Sequence, residues 1–363
     1  MGWVVDGLLN AARMAWEVWW ALVLGFLLSA VVQARVPRDR VEQALGGRGA
    51  REVTFATALG AASSSCSYAA IAIAKSLFAK GASLVSAMTL QFASTNLVFE
   101  LGLVVWVLLG WQFTLAELVG GIVLILLMWA ALRVFVSRRD EEEARAHAST
   151  AESGHVHPAA TEIAVNFAMD IRMLWKELVL GFLIAGYVSL LPTSFFNALF
   201  ITDAPAPLRA VENAIVGPIV AALSFVCSIG NIPLAAVLWS GGISFGGVIA
   251  FIFGDLIILP IISAYRKYYG ARFALVLTAV MFGCMVVAAL LVDGAFSLVG
   301  LVPTHRPPIE SITERAVTWN YTTFLDIVFT VVFFVLMTLA LRKGDPHAHH
   351  HHDHHHEHHM EHA

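Results

Sequence analysis

Two cysteines, Cys66 and Cys227, are the residues whose chemistry stands out in this sequence. Each lies in a short run of small polar residues, 63–67 and 224–233, that interrupts an apolar segment. A thiolate at the start of a helix is stabilised by the free backbone N–H groups there, and thiolates bind soft metals and metalloids. We therefore predict a substrate site between the two runs. Its predicted residues are Cys66, Cys227, Ser65, Ser67, Ser228, Asn231 and Asn96.

Helix packing is the alternative explanation for these small polar runs. Serine and cysteine let membrane helices approach closely and can bond back to their own helix. Two cysteines at matching places in two halves of a chain favour a site over packing. Cys284 stands alone in an apolar segment, and we expect it to be an ordinary packing residue.

Asp255 and Glu100 are candidates for proton or ion coupling. Ionisable groups inside apolar segments are costly, and their presence there predicts a function. Asp255 lies near the middle of its segment, whereas Glu100 is closer to an end. We expect the other ionisable side chains of these segments to lie at the membrane surface, because long side chains can reach it. They are Lys75, Glu117, Glu177 and Asp326.

The segment 347–362 is rich in histidine, and it holds eleven of the 15 histidines of the chain. Imidazoles with interspersed carboxylates bind divalent zinc, nickel or copper. The tail is too polar to pack a core, so we expect it to be unstructured without metal. It could bind metal, buffer it or have no role, and no cofactor is expected to be required. The predicted ligands are His349, His350, His351, His352, His354, His355 and His356.

The composition places the chain in a lipid bilayer. It has 363 residues, only 13% of them charged, and a mean hydropathy of +0.76. A soluble domain of this size would lack the polar surface to cover itself. Three dispersed cysteines exclude a disulfide framework, and no basic patch supports nucleic-acid binding. The expected partners are the bilayer and a small-molecule or metalloid substrate, and the sequence leaves the oligomeric state open.

An internal repeat organises these segments. The run 22–28 recurs almost unchanged at 178–184, Cys66-Ser67 is matched by Cys227-Ser228, and 80–83 is matched by 241–244. Repeated sets of membrane spans are typical of transporters. The two polar breaks therefore occupy equivalent places in two halves.

Two topologies follow from the hydropathy. Predicted spans lie at 15–36, 82–109, 113–136, 172–191, 243–264, 273–293 and 322–341. The broken segments 53–79 and 211–240 either cross fully or return as re-entrant hairpins. Re-entrant hairpins would put about 18 of the 22 Lys and Arg inside, whereas full crossings would leave no bias, and the positive-inside rule favours the hairpins.

The predicted fold is an all-α polytopic membrane protein of two inverted repeats, each of three full spans plus one broken, re-entrant helical hairpin, with one extra C-terminal span. An odd number of spans inverts the second repeat relative to the first. The protein is expected in the cell (inner) membrane, with its N-terminus outside and its C-terminus in the cytoplasm. The predicted regions are the first repeat 1–136, a cytoplasmic linker 137–170, the second repeat 171–293, an external loop 294–321, the last span 322–342 and the tail 343–363.

The chain resembles the ArsP-type predicted permeases. The resemblance rests on the stretch 227–244 (CSIGNIPLAAVLWSGGIS), the break around Cys66, the run 80–83 (KGAS) and the run 318–323 (TWNYTT). It implies a polytopic inner-membrane permease. The best-known members of that family export trivalent organoarsenicals, and cysteines are proposed to hold the arsenic. The resemblance places the corresponding cysteines at Cys66 and Cys227.

Three functions compete at this stage. The leading one is a secondary permease, not an enzyme, that moves a small solute such as a soft metal, a metalloid or an organoarsenical by alternating access. The second is a transmembrane thiol-disulfide electron carrier that uses Cys66 and Cys227, which requires their Cα atoms within about 7 Å. The third is a metal-responsive membrane protein that acts through its histidine-rich tail.

Overall fold

The structure is a computed structural model, and every regular element in its described part is helical. The described residues are 2–17, 19–35, 37–63, 67–149, 159–188, 190–191, 194–195, 198, 200–201, 205–224, 228–306 and 321–341. The predicted all-α class of a polytopic membrane protein agrees with this architecture.

The helices of the first half are α1 Gly2–Glu17, α2 Trp19–Arg35, α3 Arg38–Leu45, α4 Ala50–Ser63, α5 Ser67–Ala79, α6 Leu84–Asn96, α7 Phe99–Leu109, α8 Trp111–Phe135 and α9 Arg138–Ser149. Those of the second half are α10 Ala159–Val188, α11 Ala206–Ser224, α12 Ser228–Ser240, α13 Phe245–Phe253, a 3-10 turn Gly254–Ile257, α14 Leu259–Tyr269, α15 Ala271–Val299 and α16 Tyr321–Leu341.

Three helices in the described part are long and apolar enough to cross a bilayer: Trp111–Phe135, Ala271–Val299 and Thr323–Leu341. They correspond to the predicted spans 113–136, 273–293 and 322–341. Two bent helix pairs raise the number to five if each pair is one span. The predicted span 15–36 coincides with α2, which has 17 residues, and 172–191 overlaps the end of the 30-residue α10.

The predicted spans 82–109 and 243–264 are bent rather than straight. The bends measure 43° between Leu84–Asn96 and Leu101–Leu109, and 41° between Phe245–Ile257 and Leu259–Tyr269. In the second bend, Ile258 has an extended backbone and Pro260 occupies the first turn of α14, where its missing N–H has no helical partner to lose. Hydropathy did not predict either bend. It is averaged over a window that is longer than the break, so each bent pair gave the signal of one continuous span.

The broken segments 53–79 and 211–240 each begin and end at one level of the bundle. After α5, Ser83 donates its backbone N–H to Leu45 O at 2.8 Å and its hydroxyl to Gly47 O at 2.7 Å, just before α4 begins. After α12, the N–H of Ser244 donates to Asn213 Oδ1 at 2.8 Å, at the start of the segment 211–240 and two turns into α11. Each segment therefore leaves beside the place where it enters.

The turns after α5 and α12 have the same backbone geometry. Gly81 and Gly242 both have a φ of 106°, a left-handed conformation that glycine adopts without a steric cost. Ser83 and Ser244 then cap the next helix by accepting hydrogen bonds from the backbone N–H three residues on. Equal turns and equal caps follow from the glycine and the serine that the runs 80–83 and 241–244 share.

One arginine binds the C-terminal end of α5, and another binds the C-terminal end of α12. The guanidinium of Arg145 donates to Phe78 O and lies 4.4 Å from the centre of the Phe78 ring. The guanidinium of Arg306 donates to Trp239 O and lies 3.9 Å from the ring of that residue. Both arginines supply donors to terminal helix carbonyls that have no partner within the helix.

A glycine lets α4 cross α6 at close range. A Cβ atom at Gly60 would lie 2.7 Å from Ala93 Cβ and even closer to the backbone oxygen of Leu90. We expect Gly60→Val to destabilise the protein by about 1–3 kcal/mol, because the backbone of α6 would have to move. Thermal unfolding of the purified protein in one detergent measures the effect.

The matched control is Gly283→Val. Gly283 is exposed on α15, and a Cβ atom there would meet nothing within 4 Å. Its unfolding temperature should stay close to that of the wild type. Equal losses in the two variants would show that the close contact at Gly60 contributes nothing to stability.

Candidate functional site

The second helices of the two broken segments begin at the same point in the structure. α5 begins at Ser67 and α12 begins at Ser228, 161 positions later, and their hydroxyl oxygens lie 2.9 Å apart. Helix starts carry free backbone N–H groups and a partial positive charge. The structure therefore brings together two of the predicted site residues from opposite halves of the chain.

Asp255 joins these two helix starts. Its side chain lies in the 3-10 turn after α13 and is 1% exposed. Its Oδ2 accepts the hydroxyl of Ser67 at 2.8 Å and that of Ser228. A buried carboxylate needs such donors, because they replace part of the water that it loses. We name Ser67, Ser228 and Asp255 the serine–aspartate junction.

A close helix contact sets the position of Asp255. A Cβ atom at the preceding Gly254 would lie 2.5 Å from Ala221 Cβ and 2.9 Å from Pro218 Cα. Only a residue without a side chain lets the turn approach α11 this closely. The contact brings the turn onto the same segment whose second half begins at Ser228.

Asn231 lies less than one turn beyond Ser228 on α12 and is fully buried. Among the described residues, neither its amide nitrogen nor its amide oxygen has a hydrogen-bond partner. Buried amides in proteins are nearly always bonded. Such a group beside the junction is available to a ligand.

Asn96 has contacts of a different kind. It is the last residue of α6, at the first bend, and its amide donates to Phe92 O and to Thr95 Oγ1, both at 3.2 Å. These bonds close the end of its own helix. The structure thus gives Asn96 a local role at the bend.

Several predicted residues lie outside the described part of the chain. They are Ser65, Cys66 and Cys227, together with all the histidines of the predicted tail. Glu100 is the second residue of α7, and its side chain is also outside the description. The roles assigned to them, and the disulfide required by the electron-carrier hypothesis, stay predictions. In the described ranges, no group of three or more His, Cys, Asp or Glu could hold a metal.

Three ionisable residues expected at the membrane surface are instead enclosed by protein. Glu117 and Asp326 are fully buried, and Lys75 is 2% exposed. Asp326 accepts the backbone N–H of Trp20 at 2.9 Å, and the ammonium of Lys75 lies 5.8 Å from the centre of the Tyr268 ring. Position near a span end does not predict exposure, because other helices cover those levels. Cys284 is 7% exposed among apolar neighbours, which agrees with packing.

Sequence reasoning missed Glu117 as a functional candidate. It lies six residues into α8, and neither carboxylate oxygen has a partner among the described residues. The sequence did contain a signal, because Glu117 is an acid inside an apolar run. Its position near the end of the predicted span nevertheless favoured a place at the membrane surface. Sequence reasoning also missed the bond from Gln91 to the Tyr265 hydroxyl, which in turn donates to Leu256 O at 3.3 Å.

Comparison with known proteins decides the family. Residues 8–294 match the model of the ArsP predicted permeases. The chain belongs to this family. A relative in Mycobacterium tuberculosis is named "Putative permease Rv2963". It is 45% identical over 332 residues, which are 85% of this chain and 81% of that protein. No solved structure matches the chain.

Membership of the ArsP permeases confirms the resemblance inferred from 227–244 and the other motifs. With its apolar helices, it makes the chain a multi-pass membrane protein and favours a transporter over an enzyme. The names of the family and of the relative specify no substrate.

Proposed function

We propose that this protein is a secondary permease in which a small solute binds where the two broken segments meet. The serine–aspartate junction carries the proposal: two helix starts from opposite halves converge on one buried carboxylate, each hydroxyl bonded to Asp255 Oδ2. Irregular backbone at membrane depth is tolerated where protein or a cavity surrounds it. Movement of either half would change this junction, which is what alternating access requires.

The two halves are proposed to be inverted repeats. The support is a set of matching contacts at one spacing: Ser67 and Ser228 are separated by 161 positions, and so are Arg145 and Arg306, which hold Phe78 and Trp239. Each broken segment begins and ends at one level, as a re-entrant hairpin does. Three spans and one hairpin per half would put the two hairpins on opposite sides of the membrane.

The N-terminus is proposed to lie outside and the C-terminus in the cytoplasm. The bias of Lys and Arg supports this orientation. We therefore expect the turn after α5 to be cytoplasmic and the turn after α12 to be external. Cysteine substitutions at Lys80 and Gly241, which are half-buried and 161 positions apart, place probes in the two turns.

The expected result is opposite labelling by a membrane-impermeant thiol reagent. In intact cells Gly241→Cys should react and Lys80→Cys should not, and in inside-out vesicles the pattern should reverse. The unmodified chain measures the background from its own cysteines. Labelling of both positions from outside would contradict the hairpins and support full crossings.

A soft metal, a metalloid or an organoarsenical is the proposed substrate class. Cys66 and Cys227 directly precede Ser67 and Ser228 in the chain, the two residues whose hydroxyls meet. Thiolates are the side-chain ligands that such species prefer. Asn231, a buried amide without a partner in the described part, would add a polar contact.

Flux into vesicles tests this function. The panel is methylated arsenite, arsenite, antimonite, copper, zinc and nickel, carried by wild type, Cys66→Ser, Cys227→Ser and the control Cys284→Ala. We expect one class of solute to move, both serine variants to abolish its movement and the Cys284 variant to retain it. Movement that survives both serine variants would refute the thiol site, and no movement at all would refute the substrate class.

A further inference from the structure

Glu117 is a carboxyl group with no described partner in a fully buried position. Its side chain is 0% exposed, and neither Oε1 nor Oε2 has a hydrogen-bond partner among the described residues. An ionised carboxylate in such a place would lose its hydration and gain no donor in return, which is very costly. The neutral acid avoids most of this cost. Burial and missing donors therefore favour a protonated Glu117 in this conformation.

The face of α8 that carries Glu117 packs against both bends. Gly120 and Gly121 lie one turn further along this face. A Cβ atom at Gly120 would lie 2.7 Å from the Phe253 ring, and one at Gly121 would lie 3.5 Å from Asn96 Cβ. Phe253 is two residues before Asp255. Glu117 thus lies on the helix face that packs against the turn of the serine–aspartate junction.

The two carboxyl groups have opposite surroundings. Asp255 Oδ2 accepts hydroxyls from Ser67 and Ser228, which stabilise a negative charge. Glu117 has no such donor in the described part. Two neighbouring carboxyl groups with different environments take different protonation states, and this difference assigns a proton donor and a proton acceptor.

Unpartnered polar atoms beside the pair point independently to a bound species. Asn231 Nδ2 and Oδ1, Gln91 Oε1 and Asp255 Oδ1 are all buried without a partner in the described ranges. Gln91 is bonded through its nitrogen to Tyr265, which donates to the residue after Asp255. They lie on α6, on α12 and in the 3-10 turn that carries Asp255. They supply acceptors and a donor for a proton and for the water that delivers it.

We propose that Glu117 and Asp255 form a proton-binding site and that the proton exchanged between them is the coupling ion of the permease. The O–H bond at Glu117 breaks as a water molecule takes up the proton, and that water releases another proton, which forms an O–H bond at Asp255 Oδ1, the oxygen without a described partner. The negative charge passes to Glu117 in a conformation that gives it hydrogen-bond donors. This inference rests on the proposed transport function. Protonation of Asp255 weakens its hydrogen bonds with Ser67 and Ser228. The position of the proton therefore controls the strength of the contact between the two halves.

The helices packed against α8 add few other titratable groups. α8 contacts α6, α7, α13 and α15. α6 and α13 carry none, α7 carries Glu100, and α15 carries Arg272, Cys284 and Asp293. Asp293 accepts the N–H of Gly246 at 2.9 Å. Tyr265 of α14 donates its hydroxyl to the backbone oxygen of Leu256, the residue after Asp255.

Infrared spectroscopy tests the proton site without a substrate. The full chain in vesicles at about pH 7, where carboxyl groups in water are ionised, is examined for the carbonyl stretch of a protonated carboxylic acid and for its shift after transfer into D2O. We expect wild type to show an exchangeable band, Glu117→Gln to lose it and Asp255→Asn to retain it. Glu143→Gln, on an exposed glutamate of α9, is the matched control and should retain the band.

Flux driven by a proton gradient completes the test. For the solute that wild type moves, Glu117→Gln should abolish gradient-driven accumulation while exchange of solute across the membrane continues. A wild type without the band, or a Glu117→Gln variant that keeps it, overturns the proton site even if solute moves. A band that behaves as expected in a protein that moves none of the panel supports the proton site and refutes the transport proposal on which coupling rests.

Discussion

Asp255→Ala is expected to abolish solute flux and to lower the stability of the protein. The substitution removes the common acceptor of the Ser67 and Ser228 hydroxyls. In the described part, the two hydroxyls then keep only each other, at 2.9 Å, and each lost hydrogen bond to a charged group costs about 1.5–3 kcal/mol. It also removes the carboxylate that receives the proton in the proposed coupling. Flux in vesicles and thermal unfolding in detergent measure the two effects separately.

Asp255→Asn separates the two roles. Asparagine keeps an oxygen that can accept the hydroxyls but loses the charge, and charge-assisted hydrogen bonds are about twice as strong as neutral ones. Stability should fall less than in the alanine variant, whereas proton-driven flux should still be lost. Asp39→Asn, on an exposed aspartate of α3, is the matched control. Full proton-driven flux in Asp255→Asn would show that the charge has no role in coupling.

Arg306→Ala and Arg145→Ala are expected to destabilise the protein by about 2–4 kcal/mol each. Removal of the guanidinium takes a charged donor from Trp239 O or Phe78 O, which then keep only the backbone N–H of Gly242 or Gly81. Such a charged bond contributes about 1.5–3 kcal/mol. It also removes a contact with Trp239 or Phe78, and cation–π contacts contribute about 0.5–2 kcal/mol. Arg145 loses in addition its ion pair with Glu141 at 3.1 Å.

Arginine-specific geometry gives a sharper test at Arg306. Its guanidinium donates to Trp239 O and also to Ile243 O, the latter at 3.2 Å. Arg306→Lys keeps the charge but loses the planar fork, so its stability should lie between wild type and alanine. Arg139→Ala, whose side chain is 88% exposed, should change stability by less than about 0.5 kcal/mol. Equal unfolding temperatures in wild type, Arg306→Ala, Arg306→Lys and Arg139→Ala would contradict a stabilising role of Arg306.

These two arginines show where sequence reasoning stopped short. The repeat was visible in 80–83 and 241–244, and the structure shows turns there in which Gly81 and Gly242 have the same φ. Arg145 and Arg306 have the same spacing, yet the residues around them differ. A single pair of like residues carries little signal in one sequence. Only their contacts with Phe78 and Trp239 in the structure show that the two arginines have equivalent roles.

The candidate site, too, was only partly predictable from the sequence. Asp255 was predictable because an acid in the middle of an apolar segment is costly and rarely without purpose. Its bonds to Ser67 and Ser228 join positions 188 and 27 residues away, and no local pattern encodes such distances. Glu117 was misplaced at the membrane surface for a related reason. Its burial depends on which helices cover the start of α8, and hydropathy along the chain does not contain that information.

The sequence by itself determined the all-helical membrane class, the family and the two small polar breaks at equivalent places. These features depend on composition and on local spacing, which are properties of the chain in one dimension. Tertiary structure alone decided the bends after Asn96 and Ile257, the enclosure of Glu117 and the meeting of the serines on Asp255. Those features arise when helices far apart in the chain cross, because burial and hydrogen bonding depend on what lies across the contact.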